Sequence, residues 1–195
     1  MSAKRLLALA VCGEGVLILV ALTWAWAADL PLVPGTIGIG AGLAGGILTA
    51  AGFSLLNYYL LRLAPEAPGI GSLRQIHREV FRPLFARVGV LEIIGISLAA
   101  GLGEELLFRG VLQPEVGLIS ASLLFGALHI GGGRQIAFGV WAAMCGGGLG
   151  MLAQVTGGWF APTVAHVLYD AVALFYIRWG PGLPLADHSK LDQVL

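Results

Sequence analysis

The chain has 195 residues, of which 57% are hydrophobic and only 11% are charged, and its formal net charge is zero. Soluble domains carry about 25% charged residues, and disordered chains combine low hydrophobicity with high net charge, so the composition excludes both classes. A neutral chain also has no bulk basic field for nucleic acid. With a mean hydropathy of +0.87, the sequence predicts a polytopic membrane protein.

Six apolar runs approach the length of about 20 residues that a helix needs to cross a bilayer. They are too long and too continuously apolar for the alternating strands of a membrane barrel. We therefore predict an all-α protein with about six membrane spans, organised as a single domain over residues 1–195. In chain order the runs are Leu6–Ala28, Thr36–Leu61, Val88–Gln113, Gly117–Ile130, Gln135–Thr156 and Trp159–Trp179.

The distribution of basic residues predicts that both termini are cytoplasmic. With the N-terminus inside, all Lys and Arg residues except Arg109 fall on the cytoplasmic side. The first run also resembles a signal peptide, but its apolar core is longer than the 7–15 residues that are typical, so we expect it to be retained. The residues on the cytoplasmic side are Lys4, Arg5, Arg62, Arg74, Arg78, Arg82, Arg87, Arg134, Arg178 and Lys190.

The connection between the second and third runs differs from the other connections. Over residues 69–87, Leu73, Ile76, Val80 and Leu84 recur at helical spacing with basic residues between them. This pattern predicts a basic amphipathic helix on the cytoplasmic face of the membrane, although a plain connecting helix has the same pattern. We assign no catalytic role to His77.

Ionisable residues within the predicted spans are candidate functional residues, because each charge costs about 3 kcal/mol even on the lenient insertion scale. Counted from the adjoining turns at 1.5 Å per residue, four of them lie at a similar depth, roughly 12–18 Å from one end of their helices. We therefore predict that they meet in one layer near the midplane. The four are Glu104, His129, His166 and Asp170. Glu14 has no companion nearby in the sequence, so we interpret it as a packing or locally hydrated residue.

The two adjacent glutamates are expected to have different roles, because neighbouring residues on a helix point about 100° apart. Glu105 lies one turn before Arg109 and can neutralise it, so we assign this pair to support. Glu104 faces away from Arg109 and is assigned to chemistry. Phe125 lies one turn before His129 and is expected to pack against the site and fix the imidazole.

At these residues the sequence resembles the CPBP family, also called Abi, which comprises type II CAAX prenyl endopeptidases and bacteriocin-processing proteases. The family motifs are EExxxR, FxxxH and HxxxN/D, and all three occur here in the expected order on separate predicted helices. The resemblance covers about Val88 to Trp179, which predicts a catalytic core over residues 88–179. The matching residues are Glu104, Glu105 and Arg109, then Phe125 and His129, then His166 and Asp170.

The resemblance implies an intramembrane endopeptidase in which Glu104 and His129 activate a water molecule. It also implies that His166 and Asp170 stabilise the oxyanion. Many family members have Asn where this chain has Asp170, and an ionised carboxylate cannot donate a hydrogen bond. Either burial keeps Asp170 protonated, or Asp170 orients His166 and the imidazole donates instead.

A zinc ion is the alternative source of an activated water. Glu104, His129 and His166 offer the donor types of a His₂Glu zinc site, and the family has been described both as metalloproteases and as glutamic proteases. We favour catalysis without a metal or other cofactor, because Glu104 as a zinc ligand would leave Glu105 as the base, on the wrong face of the helix. If zinc is bound, these three residues are its expected ligands.

We therefore predict an intramembrane endopeptidase in a prokaryotic inner membrane, whose partners are membrane lipid and a membrane-embedded or lipidated protein or peptide, and not nucleic acid. A proton-coupled small transporter is one alternative, because buried Glu, His and Asp also form proton relays. Inverted repeats would be expected there, and we find no duplication between residues 1–87 and 88–195. A catalytically silent immunity or scaffold protein of the same fold is the other alternative.

Overall fold

The computed structural model describes residues 1–132 and 135–183. Within these ranges the chain is all-helical and contains no β-strand, which confirms the predicted fold class. Two π-helical turns interrupt the helices, a first π-turn at His77–Phe81 and a second π-turn at Phe108–Leu112. The α-helices are α1 Ala3–Ala27, α2 Ile39–Arg62, α3 Pro68–Ile76, α4 Arg82–Phe85, α5 Val90–Leu107, α6 Gln113–Leu128, α7 Ile136–Thr156 and α8 Phe160–Trp179.

Four of the described helices, α1, α2, α7 and α8, are long and apolar enough to cross a membrane. The count rises to five if the bent pair Gly69–Phe85 and Val90–Leu128 forms one span. The protein is thus an integral membrane protein, while the number of six spans, the cytoplasmic termini and the single domain with its core at 88–179 stay predictions. Two basic residues used to orient the chain, Arg134 and Lys190, lie outside the described residues.

Glycines bring the helices around α8 into close contact, as their position inside apolar runs suggests. A Cβ atom on Gly46 of α2 would lie 2.7 Å from the Val164 side chain of α8. On α5, a Cβ atom at Gly101 would lie 2.5 Å from the Val167 side chain and 3.0 Å from its backbone nitrogen. Since neither position has room for a larger residue, α2 and α5 both pack on α8 at backbone distance. Helix α1 covers another side of α5.

The chain reverses direction at Gly117, where φ is +80° and ψ is 165°. A residue with a Cβ atom adopts this conformation only with strain, whereas glycine adopts it freely. After the reversal, α6 runs back beside the second π-turn, and the rings of Phe108 and Phe125 lie 4.9 Å apart. This hairpin brings the end of α6 to the level of the last turn of α5.

The predicted amphipathic helix is present as α3, the first π-turn and α4, and we call residues 68–85 the basic segment. Val80 and Leu84, on its predicted apolar face, are 36% and 39% exposed, and the location of this helix on the membrane surface stays a prediction. The π-turn adds a residue to one turn of the helix, and Phe81 and Phe85 face inward.

The basic segment is attached to the end of α2 by one side chain. Arg74 donates hydrogen bonds to the carbonyl oxygens of Leu60, Leu61 and Ala64, at 3.1, 3.0 and 2.6 Å. These carbonyls belong to the last turn of α2 and its exit, where no intrahelical donor is available. Arg74 therefore caps α2 and fixes the basic segment beside it.

Candidate active site

Glu105 and Arg109 form a buried ion pair where α5 passes into the second π-turn. Glu105 is completely buried, and Arg109 Nη1 donates to its Oε1 at 3.2 Å while Nε lies 3.1 Å from Oε2. Arg109 Nη2 donates to the carbonyl oxygen of Gly146 on α7 at 2.8 Å. The guanidinium carbon also lies 4.9 Å from the centre of the Phe125 ring, within the range of a cation–π contact. The predicted Glu105–Arg109 pair is therefore present.

Glu105 has a second partner that the sequence spacing does not indicate. His166 Nδ1 lies 2.8 Å from Glu105 Oε1, although the two residues are 61 positions apart. Because an ionised carboxylate only accepts hydrogen bonds, Nδ1 carries the proton and Nε2 points away from Glu105. Glu105 thus fixes both Arg109 and the orientation of the His166 ring.

The four residues that we expected to share a depth meet around one carboxylate. Glu104 Oε2 lies 4.0 Å from His129 Nε2 and 3.9 Å from His166 Nε2. Asp170 Oδ2 lies 3.6 Å from His166 Nε2, one turn along α8. Glu104 Oε2 is buried and has no hydrogen-bond partner among the described residues. These separations are too long for direct hydrogen bonds and suit a small molecule held between the groups.

The imidazole of His129 is fixed at the end of α6 by Phe125, as predicted. Its Nδ1 donates to the Phe125 carbonyl oxygen at 2.7 Å, and the two rings lie 4.6 Å apart at an angle of 33°. With Nδ1 committed to a backbone acceptor, Nε2 is the nitrogen that faces Glu104. In the neutral ring this nitrogen is a hydrogen-bond acceptor.

A cavity of about 230 Å³ opens from these four residues, and we call it the central cavity. The basic segment forms one wall of it through His77, Phe81 and Phe85. Sequence reasoning missed this contact, because the pattern of the basic segment predicts a separate surface helix. It also missed two polar residues in the cavity, Asn57 of α2 and Tyr169 of α8. The only signal for them was a polar side chain inside an apolar run.

Glu14 of α1 lies against the site and packs on α5, which agrees with its interpretation as a packing residue. A Cβ atom at Gly103 would be 2.6 Å from Glu14 Oε2, and this oxygen is buried without a hydrogen-bond partner among the described residues. The glycine directly before Glu104 leaves the space that the Glu14 side chain occupies. The only sign of this close approach of α1 to α5 in the sequence is the glycine at position 103.

The site includes the expected zinc ligands Glu104, His129 and His166. Over residues 1–132 and 135–183, no three His, Cys, Asp or Glu side chains are grouped closely enough to hold a metal ion. The preference for catalysis without a metal stays a prediction, and so do the chemical roles of the individual residues.

Residues 86–172 match the sequence profile of the family described as type II CAAX prenyl endopeptidase Rce1-like. Over this segment, which is less than half of the chain, the sequence is similar to the Rce1-like family. The resemblance stated from the three motifs is thereby confirmed, and the match includes every residue from Glu104 to Asp170 that carries a motif. The family description names prenyl endopeptidases, which are proteases.

One curated relative is the uncharacterized protein YpbD of Bacillus subtilis. It is 36% identical to this chain over 112 residues, which are 57% of this chain and 56% of the relative. The chain therefore matches only about half the length of this relative. No solved structure matches the chain.

Proposed function

We propose that this protein is an intramembrane endopeptidase that hydrolyses a peptide bond of a membrane-embedded or lipidated substrate. The observation that carries the proposal is the position of Glu104 Oε2, which lies 4.0 and 3.9 Å from the Nε2 atoms of His129 and His166. A carboxylate flanked by two imidazoles at these distances has room for a single water molecule. The similarity of residues 86–172 to the Rce1-like family supports the same class of enzyme.

Glu104 is the general base in this proposal. Its carboxylate removes a proton from the water, and the water oxygen attacks the carbonyl carbon of the scissile bond. Nε2 of His129 accepts the other water hydrogen and so orients the nucleophile. When the tetrahedral intermediate collapses, the C–N bond breaks and protonated Glu104 returns its proton to the leaving amine.

His166 stabilises the oxyanion. Its Nδ1–H donates to Glu105, so a second proton on Nε2 makes the ring an imidazolium that donates to the developing negative charge. Asp170 lies 3.6 Å from this nitrogen and favours the charged ring. Of the two roles open to Asp170, we therefore propose that it orients His166 rather than donates itself.

The experiment that tests the function is an incubation of the purified protein in nanodiscs with membrane peptides, followed by mass spectrometry. The panel contains unmodified apolar peptides and the same peptides carrying a lipid. The Glu104→Gln variant is the matched control, because it keeps the shape of the side chain and removes the base. New fragments with the parent protein alone support the proposal. Identical fragments with both proteins, or none with either, contradict it.

The location follows from the same proposal. The chain is an integral membrane protein, and its relative comes from Bacillus subtilis. We propose that it resides in a prokaryotic inner membrane, with lipid and the substrate as its partners.

A further inference from the structure

Asn57 is a polar residue in the apolar helix α2, which lies outside the segment that matches the Rce1-like family. Its side chain lines both the central cavity and a side cavity of about 70 Å³. No described residue forms a hydrogen bond with its amide, whereas the nearby Tyr169 hydroxyl accepts one from Trp141 Nε1 at 2.9 Å. An amide inside a membrane is costly unless it is hydrogen-bonded, so an amide facing a cavity is available to a ligand.

The depth of Asn57 follows from the packing of α2 on α8. The Phe53 ring lies 5.8 Å from that of Tyr169, and the Tyr58 ring lies 6.1 Å from that of Tyr176. The two helices thus run parallel, and Asn57 is level with residues 173–175 of α8. This level is three to five residues beyond Asp170, which is about 5–8 Å at 1.5 Å per residue.

The level of Asn57 can be compared with the spacing of residues in an extended peptide that enters the central cavity. It advances about 3.3 Å per residue, so a peptide unit two residues from the scissile bond lies at the height of Asn57. An asparagine amide offers both a donor and an acceptor, which complement the carbonyl and N–H groups of a main chain. We propose that Asn57 binds the substrate main chain two residues from the scissile bond, on the side of the basic segment.

The rest of the cavity lining can accommodate a peptide in this position. It includes the apolar residues Phe81, Phe85 and Leu174 beside the polar His77 and Tyr176. In an extended chain, main-chain polar groups lie in the plane of the strand and side chains alternate across it. A peptide whose main chain faces Asn57 can therefore place an apolar side chain against these residues.

This inference rests on the proposed endopeptidase function, and its test uses a peptide that the protein cleaves. Asn57→Leu removes the amide at similar size. An ester version of the peptide, with oxygen in place of the N–H two residues from the cleavage site, removes the main-chain donor. One neutral hydrogen bond corresponds to roughly a fivefold to tenfold effect, and a loss of uniform binding appears in KM. We expect Asn57→Leu to raise KM about fivefold to tenfold with kcat within about twofold.

The ester peptide tests whether Asn57 binds this particular main-chain N–H group. We expect it to raise KM of the parent protein by less than the Asn57→Leu substitution does, because it removes only the bond to the main-chain N–H, and to leave KM of the variant unchanged. Ser54→Ala is the matched control, because Ser54 lies one turn away on α2 and lines the side cavity but not the central cavity. Ser54→Ala is expected to leave KM unchanged.

Peptide binding to the Glu104→Gln protein separates this inference from the proposed function. If peptides are cleaved and Asn57→Leu changes neither KM nor binding, or if the ester costs both proteins equally, the role of Asn57 is wrong while the function stands. If no peptide is cleaved but the peptides bind, and Asn57→Leu weakens this binding, the proposed endopeptidase function is wrong and Asn57 remains a peptide-binding residue. If no peptide binds, both fail. Equal melting temperatures in detergent exclude misfolding as the cause of weaker binding.

Discussion

Glu105 Oε1 lies 2.8 Å from His166 Nδ1 and so joins α5 to α8 through a buried hydrogen bond. The same carboxylate carries the ion pair with Arg109, whose guanidinium is bonded to Gly146 of α7. Three helices are thus connected through one acidic side chain. A substitution of Glu105 is therefore expected to affect folding and the position of His166 together.

The first prediction concerns Glu104→Gln, which removes the base and keeps the shape of the side chain. Proteolysis, measured as kcat/KM on a cleaved peptide, is expected to fall by at least ~10². Membrane insertion and protein yield should be unchanged or improved, because one buried acid is gone. Activity of this variant close to that of the parent protein would show that Glu104 is not the general base.

The second prediction distinguishes the adjacent acid. Glu105→Gln leaves the Arg109 guanidinium buried without its counter-charge, and breaking a buried pair in this way costs about 3–5 kcal/mol. We expect lower yield and a lower melting temperature in detergent as well as lower activity. Glu104→Gln serves as the comparison, since it should lose activity alone. The assignment fails if both variants have the same yield and only Glu105→Gln is inactive.

The third prediction tests the role proposed for Asp170. Asp170→Asn restores the residue common in the family and removes the charge that favours the His166 imidazolium. If Asp170 acts through this ring, kcat should fall by about tenfold, which is about 1.4 kcal/mol of transition-state stabilisation, while KM changes little. The measurement is steady-state kinetics on one peptide. Equal or higher kcat in Asp170→Asn would show that a donor, and not a charge, is required there.

The fourth prediction concerns metal dependence. If Glu104 is the base, exhaustive treatment with o-phenanthroline or EDTA should leave activity within about twofold. Elemental analysis of the purified protein should show far less than one zinc per chain. Stoichiometric zinc, with activity lost on chelation and restored when zinc is returned, would instead make Glu104, His129 and His166 the ligands of a catalytic ion.

The fifth prediction concerns the packing of α5 on α8. Gly101→Ala would place a methyl group 2.5 Å from the Val167 side chain, and such overpacking costs about 1–3 kcal/mol. The melting temperature in detergent is expected to fall, and activity with it, because the same contact sets the distance from Glu104 to His166. Gly52→Ala on α2 is the control, because a Cβ atom there meets nothing within 4 Å. Equal melting temperatures for the two variants would refute this account.

The common depth of Glu104, His129 and His166 could be predicted from the sequence, because helical rise is constant and the turns beside these residues are marked by glycine or proline. The pairing of Glu105 with Arg109 could be predicted for a similar reason, since residues four apart on a helix are neighbours. In both cases the distance along the chain determines the distance in space.

Other contacts depend on how separate helices pack, and the sequence carries little sign of them. The bond between Glu105 and His166 and the approach of Glu14 to Gly103 are of this kind. The inward face of the basic segment could not be predicted, for a local reason. Apolar spacing assumes 3.6 residues per turn, and the first π-turn shifts the register so that Phe81 replaces Val80 on the buried face.

The spacing of the partners of Glu105 along the chain also sets the order in which its contacts form. Arg109 is four residues away and can pair with Glu105 as soon as the end of α5 is helical. His166 is 61 residues away, so at about 5–20 residues per second the ribosome reaches it roughly 3–12 s later. Arg109 is therefore available to balance the charge of Glu105 before His166 has been synthesised.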